Sequence, residues 1–232
     1  MALWLTSALA ATPEQVQDRL AEVEPMRASR IVRSAPTMSS SDIHKAAGGQ
    51  IVSGTVGDRA YGAQLMKLPI SLLWSAINDE TRHPGYTAIA YSELLSGAVC
   101  TSGRRVLQYL PVPMVSDRWW IGVLTINHGL MRDSGGSVRE VAWRSSTDAN
   151  EVTTESGRKI ISKATPIGSS QGGWFLVAVD ERSTYLEYYS RSDPGAGVPT
   201  SIANRLAARG VRENFAAIAR FAREGNPSCP IR

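Results

Sequence analysis

The sequence is poor in the residues that build metal and redox centres. Its 232 residues include two cysteines, Cys100 and Cys229, and three histidines, His44, His83 and His128. Two thiols are too few for a disulfide-rich mini-fold or a four-thiolate zinc site. The histidines lie far apart, and no HExxH, CxxC, Walker loop or GxGxxG occurs. No cofactor is expected. Long apolar runs are missing as well. A large excess of one sign of charge is missing too: 25 Lys and Arg stand against 21 Asp and Glu, a net charge of +4. That balance, with a pI near 9.3, is too weak to indicate a nucleic-acid partner. Phenylalanine is rare, at 3, against 6 Trp and 7 Tyr, so most rings carry a polar handle. Such rings suit walls that meet both apolar groups and water or ligand. What is present is ample apolar content, 43%, with only 20% charged residues. This excludes disorder and supplies a core for one large domain or two small ones.

Residues 1–11, MALWLTSALAA, are apolar and uncharged and end in a small-x-small Ala8-Leu9-Ala10. They resemble an incomplete export signal, without a basic start and well short of the about 20 residues of a membrane span. The alternative is a native N-terminal tail. Thr12-Pro13-Glu14-Gln15 has a hydroxyl cap, a proline at the first helical position and Gln three residues after the cap. A helix is expected over 12–24. A periplasmic or secreted protein would pair Cys100 with Cys229, whereas a cytoplasmic one would keep two thiols, and both readings stay open. The simplest division is one domain over 12–224, with a tail over 225–232 that starts at Gly225-Asn226-Pro227. Ser39-Ser40-Ser41 and Gly48-Gly49 punctuate the N-terminal region.

Strands are expected at 50–57 and 60–66, then a helix at 69–79 with Leu72, Leu73, Ala76 and Ile77 on one face. Seven further strands follow at 86–96, 104–111, 118–131, 138–145, 158–165, 173–180 and 183–190, separated by Gly- and Ser-rich turns. Short connections imply an antiparallel meander. The last element is a helix over 200–223. Leu206, Val211, Phe215, Ile218, Phe221 and Ala222 fall on one side, and Arg205, Arg209, Arg212, Arg220 and Arg223 on the other. The expected fold is α+β: a curved antiparallel sheet wrapped around a long C-terminal helix, with an internal cavity.

Three pieces carry a resemblance. The first runs from Tyr188 to Pro199 (YYSRSDPGAGVP) and on to Ile202-Ala203-Asn204. The second is Gly172-Gly173-Trp174-Phe175 with Asp180 and Thr184-Tyr185. The third is Trp74, Ile77 and Asn78 with Tyr86 and Glu93. In this order and spacing the chain resembles a START (StAR-related lipid-transfer) domain of the Bet v 1-like helix-grip superfamily, over residues 50 to 224. The family's Arg-Asp at the entry to its central strand is reversed here, as Asp117-Arg118, so no buried charged pair is carried over. The resemblance implies one lipid-like ligand, a sterol, hopanoid or phospholipid, in a cavity beneath the last helix. Apolar walls would supply affinity at about 25 cal/mol per Å2, and a few polar groups would orient the ligand. Candidates on the strands are Glu93, Arg105, Tyr109, Asn127, His128, Trp143, Glu187 and Tyr189. Alternation places Tyr91 with Glu93, and Arg105 with Tyr109, without saying which face looks inward. Leu206, Phe215 and Ile218 are the expected helical wall. The Gly- and Pro-rich stretch 193–198 is a candidate hinge. The Arg stripe is a candidate for transient contact with an anionic membrane, or else a solvated face.

Gly168-Ser169-Ser170-Gln171-Gly172 matches GxSxG. A nucleophile elbow needs a preceding strand, a following helix and a later histidine. No histidine follows His128, so the stretch is expected to be a hairpin loop. The leading expectation is a non-enzymatic lipid-binding or transfer protein. The alternative is a polyketide cyclase or aromatase-type enzyme using the same cavity.

Overall fold

The computed structural model describes residues 11–113, 115–193, 195, 200–224 and 229, with the backbone alone for 200–206 and 208. Residues 1–10 of the leader-like segment 1–11, residues 194 and 196–198 of the candidate hinge and most of the tail lie outside the described residues, as do the side chains of Leu206 and Arg205.

Helix α1 (Pro13–Val23) starts as its sequence requires. Thr12 Oγ1 accepts from the Gln15 N–H, and the Gln15 side chain accepts from the Thr12 N–H. A 3-10 turn over Glu24–Ser29 follows. Helix α2 (Ser40–Ala47) occupies the stretch between the two punctuation signals. The serines and glycines mark its ends: Ser39 caps the first turn and Gly48 stops the last. Strands β1 (Val52–Val56) and β2 (Arg59–Met66) form a hairpin turned at Gly57, whose φ is +61°. Helix α3 (Ile70–Asn78) follows behind Pro69.

The meander then runs through β3 (Tyr91–Ser96), β4 (Arg105–Leu110), β5 (Arg118–Ile126), β6 (Val138–Ser146), β8 (Ser169–Ala178) and β9 (Thr184–Asp193). A two-residue strand β7 (Thr165–Pro166) pairs in parallel with β5. The sheet order is β1-β2-β9-β8-β6-β5-β4-β3, and every other pairing is antiparallel. Helix α6 (Thr200–Glu224) closes the chain.

Four local expectations are corrected. Residues 86–90 are a turn, because the Tyr86 N–H binds the His83 carbonyl and Tyr86 turns its ring onto Phe221, 4.5 Å away. The strand expected to run to 131 stops at Ile126. Asn127 accepts from the Leu130 N–H and starts helix α4 (His128–Asp133). The strand expected at 158–165 is helix α5 (Glu155–Ile161), nucleated by the Thr154 cap on the Gly157 N–H. The GxSxG stretch, expected as a hairpin loop, opens strand β8 instead; a strand follows Gly168, so no helix follows Ser170 and no elbow forms, as expected.

The curved sheet carries helices on both faces. On the concave face, Phe215, Ile218 and Phe221 of α6 pack with Leu73, Trp74 and Ile77 of α3 against Val106, Leu124, Val141, Trp174, Leu176 and Leu186. Gly62 of β2 lets α6 approach: a Cβ there would stand 2.5 Å from Val211 Cγ1. On the outer face, Val16, Leu20 and Val23 of α1 cover Ala63, Leu65, Phe175, Val177 and Tyr185. Around α5, Val152 and Ile161 cover Leu107, Trp119 and Ile121. Each fully buried large side chain contributes about 1.5–3 kcal/mol. This two-sided coverage explains the unbroken apolar run Trp174–Val177, whose odd and even members enter different cores.

Cys100, with φ of +66°, and Cys229 form a disulfide that ties the chain beyond α6 to the β3–β4 turn. Beside it, the guanidinium of the fully buried Arg104 binds Glu80, Asn78 Oδ1 at 2.9 Å and the Thr101 carbonyl at 2.6 Å. Among the described residues no helix is long and apolar enough to cross a membrane.

Candidate functional site

The concave face changes character along its length. At the α3 end it is a filled floor: Leu176 and Leu186 are fully buried, and Arg139 lies with its guanidinium 5.8 Å from the Trp74 ring. Toward the opposite end, where α6 begins, the same face is only half-buried. Counting by twos from the buried Val106, Leu124 and Trp174 assigns it Leu94, Gln108, Leu110, Trp120, Trp143, Tyr188 and Ser190. The register places Gln108 between Ser92 and Trp120, and Gly172 between Trp143 and Ser190. The Ser92 hydroxyl is buried with no hydrogen-bond partner among the described residues.

The aromatic side chains form a connected wall. Trp143 meets Tyr188 at 5.6 Å, Tyr188 meets Trp174 at 4.7 Å, and Trp174 meets Phe215 of α6 at 5.2 Å. Gly172 makes room for this wall, since a Cβ there would overlap the Trp143 indole. Hydroxyls edge it at the rim. Trp143 Nε1 donates to Ser170 Oγ at 3.3 Å, Ser170 and Ser192 Oγ are 2.9 Å apart, and Ser192 and Ser190 Oγ are 3.2 Å apart. The Ser145 hydroxyl accepts the Ser170 N–H at 2.7 Å. Burial holds the Tyr188 phenol above its ordinary range, opposed by side-chain hydrogen bonds with Ser190 and with Asn214 of α6. The arrangement is a half-buried, ring-lined face edged by serine hydroxyls, continuous with a fully buried floor.

Of the residues expected to line a cavity, Trp143, Phe215 and Ile218 belong to this face, the last two as fully buried core. Six others alternate onto the outer face, where they hold the outer layer in place. Glu187 accepts two bonds from Arg27, at 2.9 and 2.6 Å, and one from Arg30 at 2.9 Å. These cations hold its carboxyl below the usual range against the opposing effect of burial. Glu187 also lines a cleft of about 670 Å3 between α1, α2 and the segment joining them, on the side away from α6. Tyr189 Oη lies 3.4 Å from Ser34 Oγ. Glu93 accepts from Tyr91 at 2.8 Å and from Thr154 at 2.9 Å. Burial, with the Glu93 carboxylate, pushes the Tyr91 phenol up to about 12. Arg105 pairs with Glu151, and Tyr109 donates to Asp117. Asn127 caps α4 and binds Glu140 at 2.8 Å, and His128 is exposed on that helix.

The wall residues passed over in the sequence are Trp120, Trp174, Tyr188, Gln108, Ser170, Ser190, Ser192 and Asn214. Once Trp143 is set inward, alternation and register give the strand members. Nothing in the sequence sets the first one inward. Among the described residues no three His, Cys, Asp or Glu side chains converge as a metal site.

No family model matches the chain, and no curated protein matches it. Solved structures do. A STAR-related lipid transfer protein from Xanthomonas axonopodis superposes with a TM-score of 0.60 at 17% identity, over 82% of this chain and 98% of that one. Human STARD10 gives 0.59 at 10% identity, over 83% of each chain. The Zhui aromatase/cyclase from Streptomyces sp. R1128 gives 0.52 at 13% identity, over 73% of this chain and 96% of that one. At these identities the likeness is one of architecture, and on that ground the chain has the START-like helix-grip fold.

Proposed function

We propose that the chain binds a single lipid-like molecule in the trough between the sheet and α6, and carries it between membranes. The carrying observation is the half-exposed wall of Trp120, Trp143 and Tyr188 above a fully buried floor. Apolar surface left open inside a fold is stabilised when a ligand covers it, at about 25 cal/mol per Å2. The printed names of the STAR-related neighbours support the same reading. The disulfide supports an oxidising compartment, periplasmic or extracellular, as the working site. Exchange would bring the rim to a membrane. Pro111, Pro113, Val115 and Val56 are exposed there, and Arg209 and Arg212 are exposed on α6.

Native mass spectrometry of the purified protein tests the reading. One apolar molecule per chain is expected, either carried through purification or taken up from vesicles. A chain that takes up no lipid-like molecule from sterol-containing or phospholipid vesicles overturns it. A second reading, a cyclase-type enzyme, is favoured by the Tyr188–Asn214 contact inside the trough and by the likeness to Zhui. A Tyr188→Phe variant that keeps ligand binding but loses turnover of a poly-keto substrate would select it.

A further inference from the structure

The hydroxyl edge of the trough does more than border it. Ser170, Ser190 and Ser192 come from two neighbouring strands, and their oxygens are linked in the order 170–192–190. Trp143 Nε1 feeds the Ser170 end. Each serine hydroxyl offers one donor and two acceptor positions. Three serines joined by two bonds leave at least one proton to donate onward. Of their six acceptor positions, two are used within the ladder and one by Trp143 Nε1, so three stay open, placed by how the hydroxyl hydrogens turn. Because hydroxyl hydrogens rotate, the ladder meets a hydroxyl or a carbonyl equally well.

A charged head group would fare worse. Arg118 alternates onto this face, but it stands two strands from Ser170, and its Nη1 donates to the carbonyls of Ser116 and Asp117. An ionised phosphate or carboxylate moved onto the ladder would lose water and gain only neutral hydroxyl donors from it. The ladder also sits at the rim, with the aromatic wall deeper and the closed floor beyond it. That order fixes the direction of a bound amphiphile.

We infer that the Ser170–Ser192–Ser190 ladder is a head-group subsite for one uncharged oxygen, a hydroxyl or keto group, and that the ligand lies with its apolar end toward Trp174 and its oxygen at the rim. The inference rests on the lipid-binding reading above.

A tail-matched pair of probes, pyrene-labelled dodecanol and pyrene-labelled dodecanoate at pH 7.5, tests it by fluorescence titration. The alcohol is expected to bind at least about tenfold more tightly than the acid. Replacing Ser170 and Ser192 together by Ala should weaken the alcohol about tenfold and the acid by less than about twofold. Ser192→Thr keeps a hydroxyl and should keep the affinity, which separates hydrogen bonding from packing. Circular dichroism checks that each variant is folded, and Ser190→Ala replaces the double variant if that one is not. Equal or tighter binding of the acid overturns the subsite while leaving the lipid-binding reading in place. So does unchanged alcohol affinity in the serine variants. Failure of both probes to bind overturns the subsite alone where the chain still takes up lipid from vesicles, and removes both proposals where it does not.

Discussion

Trp143 lies across Gly172, its partner on the neighbouring strand, so closely that a methyl group on Gly172 would overlap both the indole and the Tyr189 carbonyl. The glycine is what lets the indole lie flat against the sheet and reach Ser170. Gly172→Ala should therefore tilt Trp143 out of the aromatic wall and break its bond to Ser170. The expected cost is about 1–3 kcal/mol in urea unfolding, the range for overpacking. It should come with a loss of ligand uptake larger than stability alone explains. Gly57→Ala, at a hairpin turn with open space around it, should leave ligand uptake intact despite its strained backbone.

Glu187 makes a prediction of the opposite kind. It, Phe175 and Glu140 stand side by side across three strands on the outer face. Arg27 and Arg30 bind this row, with guanidinium carbons 5.1 and 4.4 Å from the Phe175 ring centre. Glu187→Ala removes the carboxylate that two largely buried cations share, leaving Arg27 with Glu24 and Arg30 with Glu140, and should cost about 1–3 kcal/mol. Ligand affinity at a permissive temperature should not change, because the side chain faces away from α6. The pH dependence follows from the lowered carboxyl. Its contribution is complete above the unfolded value near 4.3 and is lost as pH falls through the lower folded value. Urea midpoints of wild type should drop below about pH 4, and Glu187→Gln should flatten that drop.

These two residues show what the sequence could and could not convey. Architecture was readable because it is written in local signals: the Thr12 capping box, the turn glycines, and the 3.6 period of α6. The missed helices also had signals, the caps Ser39, Asn127 and Thr154, but their segments are too short to display a period. The site was hard to read for another reason. Alternation fixes which residues share a face and leaves its direction free, and here both faces are buried. Glu187 and Arg105 therefore looked like cavity groups, when they are anchors for α1, the segment after it and α5. The serines of the ladder had no such polarity to draw notice.

His83 offers a separate handle on the lower end of α6. Its ring packs edge-on to Phe221, with centroids 6.3 Å apart, and Nε2 lies 3.1 Å from the Ala76 carbonyl. Glu80, Asp79 and Arg104 act on it from the α3 side, and Arg82 lies over the other ring partner. Burial lowers its pKa from 6.5 against the pull of Glu80. The neutral ring is favoured in the folded state, so stability is full above pH 6.5 and declines as pH falls toward the folded value. His83→Gln should remove the part of the urea-midpoint change that lies between pH 6.5 and 5, a range where Glu187 contributes no change.

The disulfide makes the last prediction, because it acts on one end of α6 only. Cys229 lies beyond that helix and Cys100 in the β3–β4 turn, 129 residues apart in sequence. The Ser75 hydroxyl donates to the Cys229 carbonyl, and Arg220 donates to the Gly85 and Tyr86 carbonyls at 3.0 and 3.1 Å. The lower end of α6 is thus fastened by a covalent bond, by hydrogen bonds and by the Phe221–Tyr86 stack. Replacing both cysteines by serine opens a long loop in the unfolded chain and should cost about 2–5 kcal/mol. Hydrogen exchange should localise the loosening to about residues 216–224 and the β3–β4 turn, leaving β8 and β9 protected. Ligand exchange should quicken, since freeing the fastened end gives α6 a second way to part from the sheet. Exchange that speeds up uniformly across the molecule, or two alkylatable thiols in the unreduced protein, would show that the bond does not play this part.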